Sequence, residues 1–277
     1  MGLGSLSLAT SGFKFNVGVS YKPKIGLQLY TVRKALEEDF EVTMRRVADV
    51  GFLGIEYYPL SEKITTERAA RTFKELGLEV FGMHTPMPDT EVRDGIVKLA
   101  DAFKCNRIIY PGWPQGDKYK TQEATKRTAA SYDAASEYMR LHGLHFGLHN
   151  HWWDFEETDG IVPFYYLLEH LSKDVFFEID TYWVKTGGKD PVKVVGDFGK
   201  RAPFLHIKDG PAVQGDMMYK QVPVGDGSLD FPSIVKAGGE NTRWLVIEFD
   251  EYEKDIFEGI AKSYTYLTKN GLGEGKI

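Results

Sequence analysis

The sequence predicts a single α/β domain, a (β/α)8 TIM barrel. Three observations carry this. Eight short apolar runs recur along the chain, an amphipathic stretch follows each, and glycines close several of those stretches just before the next run. Strands alternating with helices imply a parallel sheet. Eight is the number that closes into a barrel, and 277 residues suit the roughly 250 that such a barrel needs. An open doubly wound sheet would usually carry a glycine-rich phosphate loop after its first strand. Here that strand is followed by TVRKALEED, and no GxGxxG or Walker A motif appears.

The first strand is expected at residues 25–30 (IGLQLY). A helix over 37–50 follows, with Phe40, Met44 and Val47 on one face and Gly51 as its stop. The second strand, 53–57, precedes a helix over 66–76 closed by Gly77. The third, 78–84, precedes a helix over 90–103. The fourth, 107–110, leads through PGWPQGDK into a long helix over 122–141, stopped near Gly143. Strands five to eight are expected at 144–150, 175–180, 204–208 and 244–249. Their helices fall near 162–171, 191–200, 231–238 and 256–269. Residues 24–277 form the barrel in this scheme. Residues 1–23 form an N-terminal leader or covering segment, without the basic region and firm apolar core of a signal peptide.

Composition is that of a globular domain, 42% hydrophobic and 27% charged. The net charge of −6 and the absence of a basic run argue against a nucleic-acid partner. No apolar run approaches the roughly 18 residues of a membrane span. A single cysteine, Cys105, excludes an internal disulfide and a cysteine-based zinc cluster, and fits a cytoplasmic location.

Side chains at the C-terminal strand ends of such a barrel face the active site. They are Gln28, Glu56, His84, His149, Asn150, His151, Glu178, Asp180, His206, Lys208 and Glu248. So many ionisable groups beside apolar strands are costly to bury without compensation, and a divalent cation supplies it. Asp180, His206 and Glu248 are good ligands from neighbouring strands, with His149 or His151 as a fourth. Period-two alternation turns Lys208 inward with His206, to stabilise an oxyanion or to neutralise Glu178. Glu178 shares a face with Asp180 and is either catalytic or one half of an ion pair. Gln28, Glu56, His84 and Asn150 are expected to bind substrate or support the ligands. Tyr57, Tyr58, Trp113, Trp152, Trp153, Tyr182 and Trp183 crowd the loops after the strands. Among them Trp113 and Trp183 are expected to stack on a carbohydrate; otherwise the aromatics seal the barrel mouth or a homo-oligomer contact. The acidic run 250–255 reads as solvated surface.

The strand ends GLHNHWWDF, FEIDTYW, FLHIKDG and LVIEFD, with the loop PVGDGSLDF, resemble the sugar isomerase/epimerase branch of the xylose-isomerase-like barrels over residues 24–270. The resemblance implies one metal ion held by Glu, Asp, His and Glu from strands five to eight. Carried over, these fall on His149, Asp180, His206 and Glu248. His149 is a departure, since relatives often read Glu-Asn-His where this chain reads His149-Asn150-His151. The site loses one negative charge, which favours Mn, Zn, Co or Fe over Mg. The resemblance also implies two bases on opposite faces of the substrate. Glu248 keeps that role, and the partner comes from His151, Lys208, Glu178 or Glu156. The implied activity is isomerisation or epimerisation of a sugar, keto-sugar or polyol by proton abstraction next to a carbonyl. A lyase acting on 3-keto-glycosides and a non-catalytic sugar-binding barrel are the alternatives. An apurinic endonuclease, a barrel relative, would need more ligands than seven histidines, several far from strand ends, supply.

Overall fold

A computed structural model describes residues 21–276 of the chain. The expected leader or covering segment, 1–23, has its first twenty residues outside the described residues, and so does residue 277. The strands are β1 (Lys24–Gln28), β2 (Gly54–Tyr57), β3 (Glu79–His84), β4 (Arg107–Tyr110), β5 (His145–His149), β6 (Phe176–Asp180), β7 (Phe204–Ile207) and β8 (Trp244–Ile247). They close into a barrel in chain order, with β8 pairing back onto β1. Every neighbouring pair is parallel. Helices connect the strands and pack outside, their apolar faces joining the main core. No helix among the described residues is long and apolar enough to cross a membrane.

Local chemistry explains the helix bounds. Thr65, Thr121, Asp190, Asp230 and Asp255 each accept a first-turn backbone N–H with the side chain, satisfying a donor the helix leaves orphaned. Gly51 ends Phe40–Val50 at φ 111°, a conformation that a side chain disfavours. The single helix expected over 37–50 is two helices, Arg33–Glu38 and Phe40–Val50. Asp39 divides them. Its backbone is extended, its N–H closes the first helix on Ala35 O, and its carboxylate caps the second at Val42 N, 3.0 Å away. Four short elements were not expected: the 3-10 turns Leu29–Val32 after β1, Trp152–Phe155 after β5 and Gly239–Asn241 before β8, and the helix Thr181–Thr186 after β6.

The barrel interior is layered by the two-residue strand period. At the N-terminal end Phe81, Ile109, Phe204, Trp244 and Val246 form an apolar plug with Phe176 against it. Glycines make room for those rings. A Cβ on Gly26 would lie 2.4 Å from the Phe81 ring, and one on Gly147 would lie 2.4 Å from the Phe176 ring. Two residues further along β1, β2, β5, β6 and β7 the interior turns polar, with Gln28, Glu56, His149, Glu178 and His206. Two further again are His151, Asp180, Lys208 and Glu248, where the chain leaves the barrel.

Candidate metal centre and pocket

The inner polar layer is a hydrogen-bonded platform. Gln28 Nε2 donates to Glu56 Oε2 at 2.6 Å, and His206 Nε2 lies 2.7 Å from the same oxygen. Glu178 Oε2 is 2.7 Å from His84 Nε2, 3.0 Å from His149 Nδ1 and 3.1 Å from His206 Nε2. A ring nitrogen facing a carboxylate carries the proton, so Glu178 assigns the proton of His149 to Nδ1 and leaves Nε2 as the acceptor. Burial, and then the charge of Glu178, push the Glu56 carboxyl up to about 7.

The outer layer collects the ligand-type atoms. One donor atom each of Asp180, His206 and Glu248 lies within 4.8 Å of the others. His206 Nδ1 is 2.7 Å from Glu248 Oε2 and 3.9 Å from Asp180 Oδ2, and His149 Nε2 is 3.8 Å from Asp180 Oδ2. A second set within the same limit is His84, His149, Glu178 and His206, which is the platform itself. Asp180 divides its work. Oδ1 accepts the backbone N–H of Tyr182 and of Trp183, both at 3.0 Å, and so caps Thr181–Thr186. Oδ2 is buried without a hydrogen bond, although Lys208 Nζ stands 3.0 Å away, and Glu56 Oε1 and Glu178 Oε1 are likewise unpartnered.

The electrostatics call for positive charge. Glu56, Glu178, Asp180 and Glu248 are all buried. Burial raises Asp180 to about 6 despite the nearby Lys208. Burial works against the charged forms of His206 and Lys208, yet the surrounding carboxylates outweigh it and hold both well above their ordinary values. Glu248 goes the other way. Burial would raise it, but Lys208 and His206 pull it well below the usual carboxylate range. Unpartnered buried carboxylate oxygens beside imidazole nitrogens are a donor set that fits a divalent cation. The residues that could hold one are Asp180, His206 and Glu248, with His149 Nε2 3.8 Å from Asp180 Oδ2.

Above the layer opens a cavity of about 510 Å³. His84, His149, His151, Lys208 and Glu248 line it, together with the expected aromatics Trp113 and Trp183. Trp113 is the most exposed of these, at 58%. His151 stacks on Trp153 at 4.5 Å, and its Nδ1 has no partner. Burial, and then the charge of Lys208, push His151 down to about 3, so its ring is neutral.

Gln28, Glu56 and Asn150, expected to contact substrate, are placed off the cavity wall, as is Glu178. Asn150 instead ties β5 to β6, accepting from Asp180 N at 2.9 Å and donating to Asp180 O. Lys208, weighed as a neutraliser of Glu178, instead reaches Asp180, Glu248 and Asp250, the last two at 2.8 Å. Asp250 is thereby no part of a solvated run: it lines the cavity and also accepts from Gln221 Nε2. The period-two spacing that links His206 to Lys208 also links Glu248 to Asp250, and would have found it. Tyr30 and Tyr219 line the cavity too. Tyr30, in the 3-10 turn Leu29–Val32, stands two residues past Gln28 and the same spacing would have found it, whereas Tyr219 sits in a loop that carries no such signal.

No curated protein sequence matches the chain. Among solved structures it is similar to a sugar phosphate isomerase/epimerase from Parabacteroides distasonis, with a TM-score of 0.75 and 23% identity over 93% of this chain and 97% of that one. It is also similar to a probable 3-DHS dehydratase involved in petrobactin synthesis from Bacillus anthracis, with a TM-score of 0.73 and 18% identity over 88% and 98% of the two chains. An L-ribulose 3-epimerase gives a TM-score of 0.70 and 18% identity over 90% and 94%. At these identities the likeness speaks for the fold, and the three names cover different reactions. Residues 44–267 fit the sequence pattern of one family. The chain belongs to the xylose isomerase-like TIM barrel family.

Proposed function

We propose that this protein is a metal-dependent isomerase or epimerase of a sugar, keto-sugar or polyol. The observation that carries the reading is the convergence of the buried Asp180 and His206 on Glu248, which lines an aromatic-walled cavity. A divalent ion held by these three and His149 supplies Lewis acidity toward a substrate carbonyl oxygen. With two imidazoles in the set, Mn, Zn, Co or Fe suits it better than Mg.

The chain's own groups do the rest. Glu248 is the carboxylate that lines the cavity at its floor, held by Lys208 and His206 and kept ionised by them. It removes a carbon-bound proton beside the carbonyl. His151, neutral and with Nδ1 unpartnered, stands on the wall as a proton relay. It takes a proton at one ring nitrogen from solvent or a substrate hydroxyl as it gives one to the neighbouring carbon or the opposite face, and Glu248 releases the abstracted proton to solvent. Lys208 keeps Glu248 in place and offers positive charge to an oxygen that gains electron density. Glu56 and Glu178 act through His206 and His149, fixing the rings that face the ion. Trp113 and Trp183 present apolar faces to the C–H side of a sugar ring.

The histidine in place of a strand-five glutamate favours a second reading. Epimerisation asks for two groups of matched basicity, whereas β-elimination needs one base and a leaving group. A lyase acting on 3-keto-glycosides therefore shares this site.

Incubating metal-loaded protein in D2O with ketoses, an inosose and 3-keto-glycosides separates the two. Deuterium in recovered sugar marks an isomerase or epimerase, and aglycone release marks the lyase. Glu248→Gln is expected to lower either signal at least about 100-fold. Neither signal on any compound, or full activity in Glu248→Gln, overturns the reading.

A further inference from the structure

We propose that the cavity admits uncharged sugars and rejects phosphorylated or carboxylated ones, with Asp250 and Glu251 setting the selectivity. The proposal rests on the reading of the cavity as a sugar site.

The charged side chains on its wall run outward along the exit of β8. Glu248 has 7% of its side chain exposed, Asp250 has 19%, and Glu251 is exposed at the rim. Against these three carboxylates the wall carries, among the described residues, one side-chain cation besides the histidines, Lys208. Its ammonium is already engaged, 3.0 Å from Asp180, 2.8 Å from Glu248 and 2.8 Å from Asp250. An anionic substituent needs a guanidinium, a free ammonium or bare backbone N–H groups to replace its water. No arginine lines the cavity among the described residues. Arg33, behind Tyr30, faces away in its bonding: Nη1 donates to Tyr30 O and Nη2 to Asp250 O, each at 2.8 Å, while the guanidinium stacks on the Tyr30 ring. The backbone N–H groups of Tyr182 and Trp183, beside the cavity, are already taken by Asp180 Oδ1. A phosphoryl group entering past the rim therefore meets Glu251 and Asp250 with no arginine or free ammonium among the described residues to compensate. A neutral sugar meets hydroxyl-compatible carboxylates and the faces of Tyr30, Tyr58, Trp113 and Trp183. Cationic metal at the floor leaves the rim unchanged, since the acidic pair stands outside the donor set.

Calorimetric binding of matched pairs tests this: fructose with fructose 6-phosphate, ribulose with ribulose 5-phosphate, xylulose with xylulose 5-phosphate. Both metal-loaded and metal-free protein are titrated, at low and high salt. The neutral member of a bound pair is expected to bind at least about tenfold tighter, with the gap narrowing at high salt as the rim charges are screened. Glu251→Lys is expected to narrow the gap about threefold or more. Equal or tighter binding of the phosphate ester by the unsubstituted protein overturns the proposal. So does a gap that Glu251→Lys leaves intact, and so does binding of no member of any pair. Deuterium exchange into sugars without charge discrimination sinks this proposal alone. Discrimination without exchange or aglycone release keeps it and sinks the enzymatic reading.

Discussion

Glu178 makes no contact with the cavity, yet its Oε2 touches three imidazole rings. A buried carboxylate in that position fixes ring orientation and protonation, and so acts on the ion through His149 and His206. Glu178→Gln keeps the size and removes the charge. It is expected to weaken Mn2+ binding by roughly 10- to 100-fold, with Glu178→Asp restoring part of it. Electron paramagnetic titration of Mn2+ reads the affinity and circular dichroism checks the fold. Unchanged affinity in Glu178→Gln would mean that the platform is only scaffolding. The period-two spacing in the sequence was enough to set Glu178 and Asp180 on one face. It did not tell them apart, because the difference is depth: one step along the strand separates a carboxylate under the rings from one beside the ligand atoms. His149 and His151 differ in the same kind of fact, since a carboxylate stands behind the ring of His149 while Nδ1 of His151 has no partner.

Loops after strands depend on single anchors, and Asp209 is the clearest. Its carboxylate accepts backbone N–H groups from Gly210, Gly225, Gly227, Ser228 and Leu229, at 2.8 to 3.3 Å. The segment PVGDGSLDF wraps around it so tightly that a Cβ on Gly227 would lie 2.1 Å from Asp209 Oδ1. Asp209→Asn swaps one acceptor oxygen for an NH2 facing N–H donors. With buried charge-assisted bonds lost, a cost of about 2–4 kcal/mol is expected. Denaturant unfolding measures it, and limited proteolysis should cut the 211–229 region first; equal stability and equal cleavage would show that the loop holds itself. Elements of this kind mark the limit of sequence patterns. The helix at Phe231–Gly238 was legible because Phe231 and Ile234 repeat at a helical interval behind a capping Asp230. The break at Asp39 was not, because the apolar positions Leu36, Phe40 and Met44 keep helical spacing straight through it. The expected strands overran at β1, β7 and β8 for a similar reason, since alternation continues after ladder bonding stops.

Across the whole barrel, the plug and the ligand layer occupy opposite ends of the same strands, which separates what stabilises from what binds. Trp244 and Glu248 mark the two ends of β8 and its exit. Four residues at about 3.3 Å each place them roughly 13 Å apart. Trp244 is buried and stacks on Phe81 at a 4.0 Å ring separation. Trp244→Ala removes that contact and leaves a void which neighbouring strands, tied in a closed ladder, cannot collapse to fill. The expected loss is about 3–5 kcal/mol, with metal affinity unchanged. Glu248→Gln should abolish the stabilisation that added metal gives and, because it removes a buried charge paired with Lys208 and His206, also lower the stability of the chelated protein by about 1–3 kcal/mol. At this separation the double variant is expected to show the sum of the two losses within about 0.5 kcal/mol. Urea unfolding with metal and with chelator measures all four proteins. A double variant well off the sum would mean that the plug transmits strain to the ligands, and that the two ends of the barrel are one cooperative device.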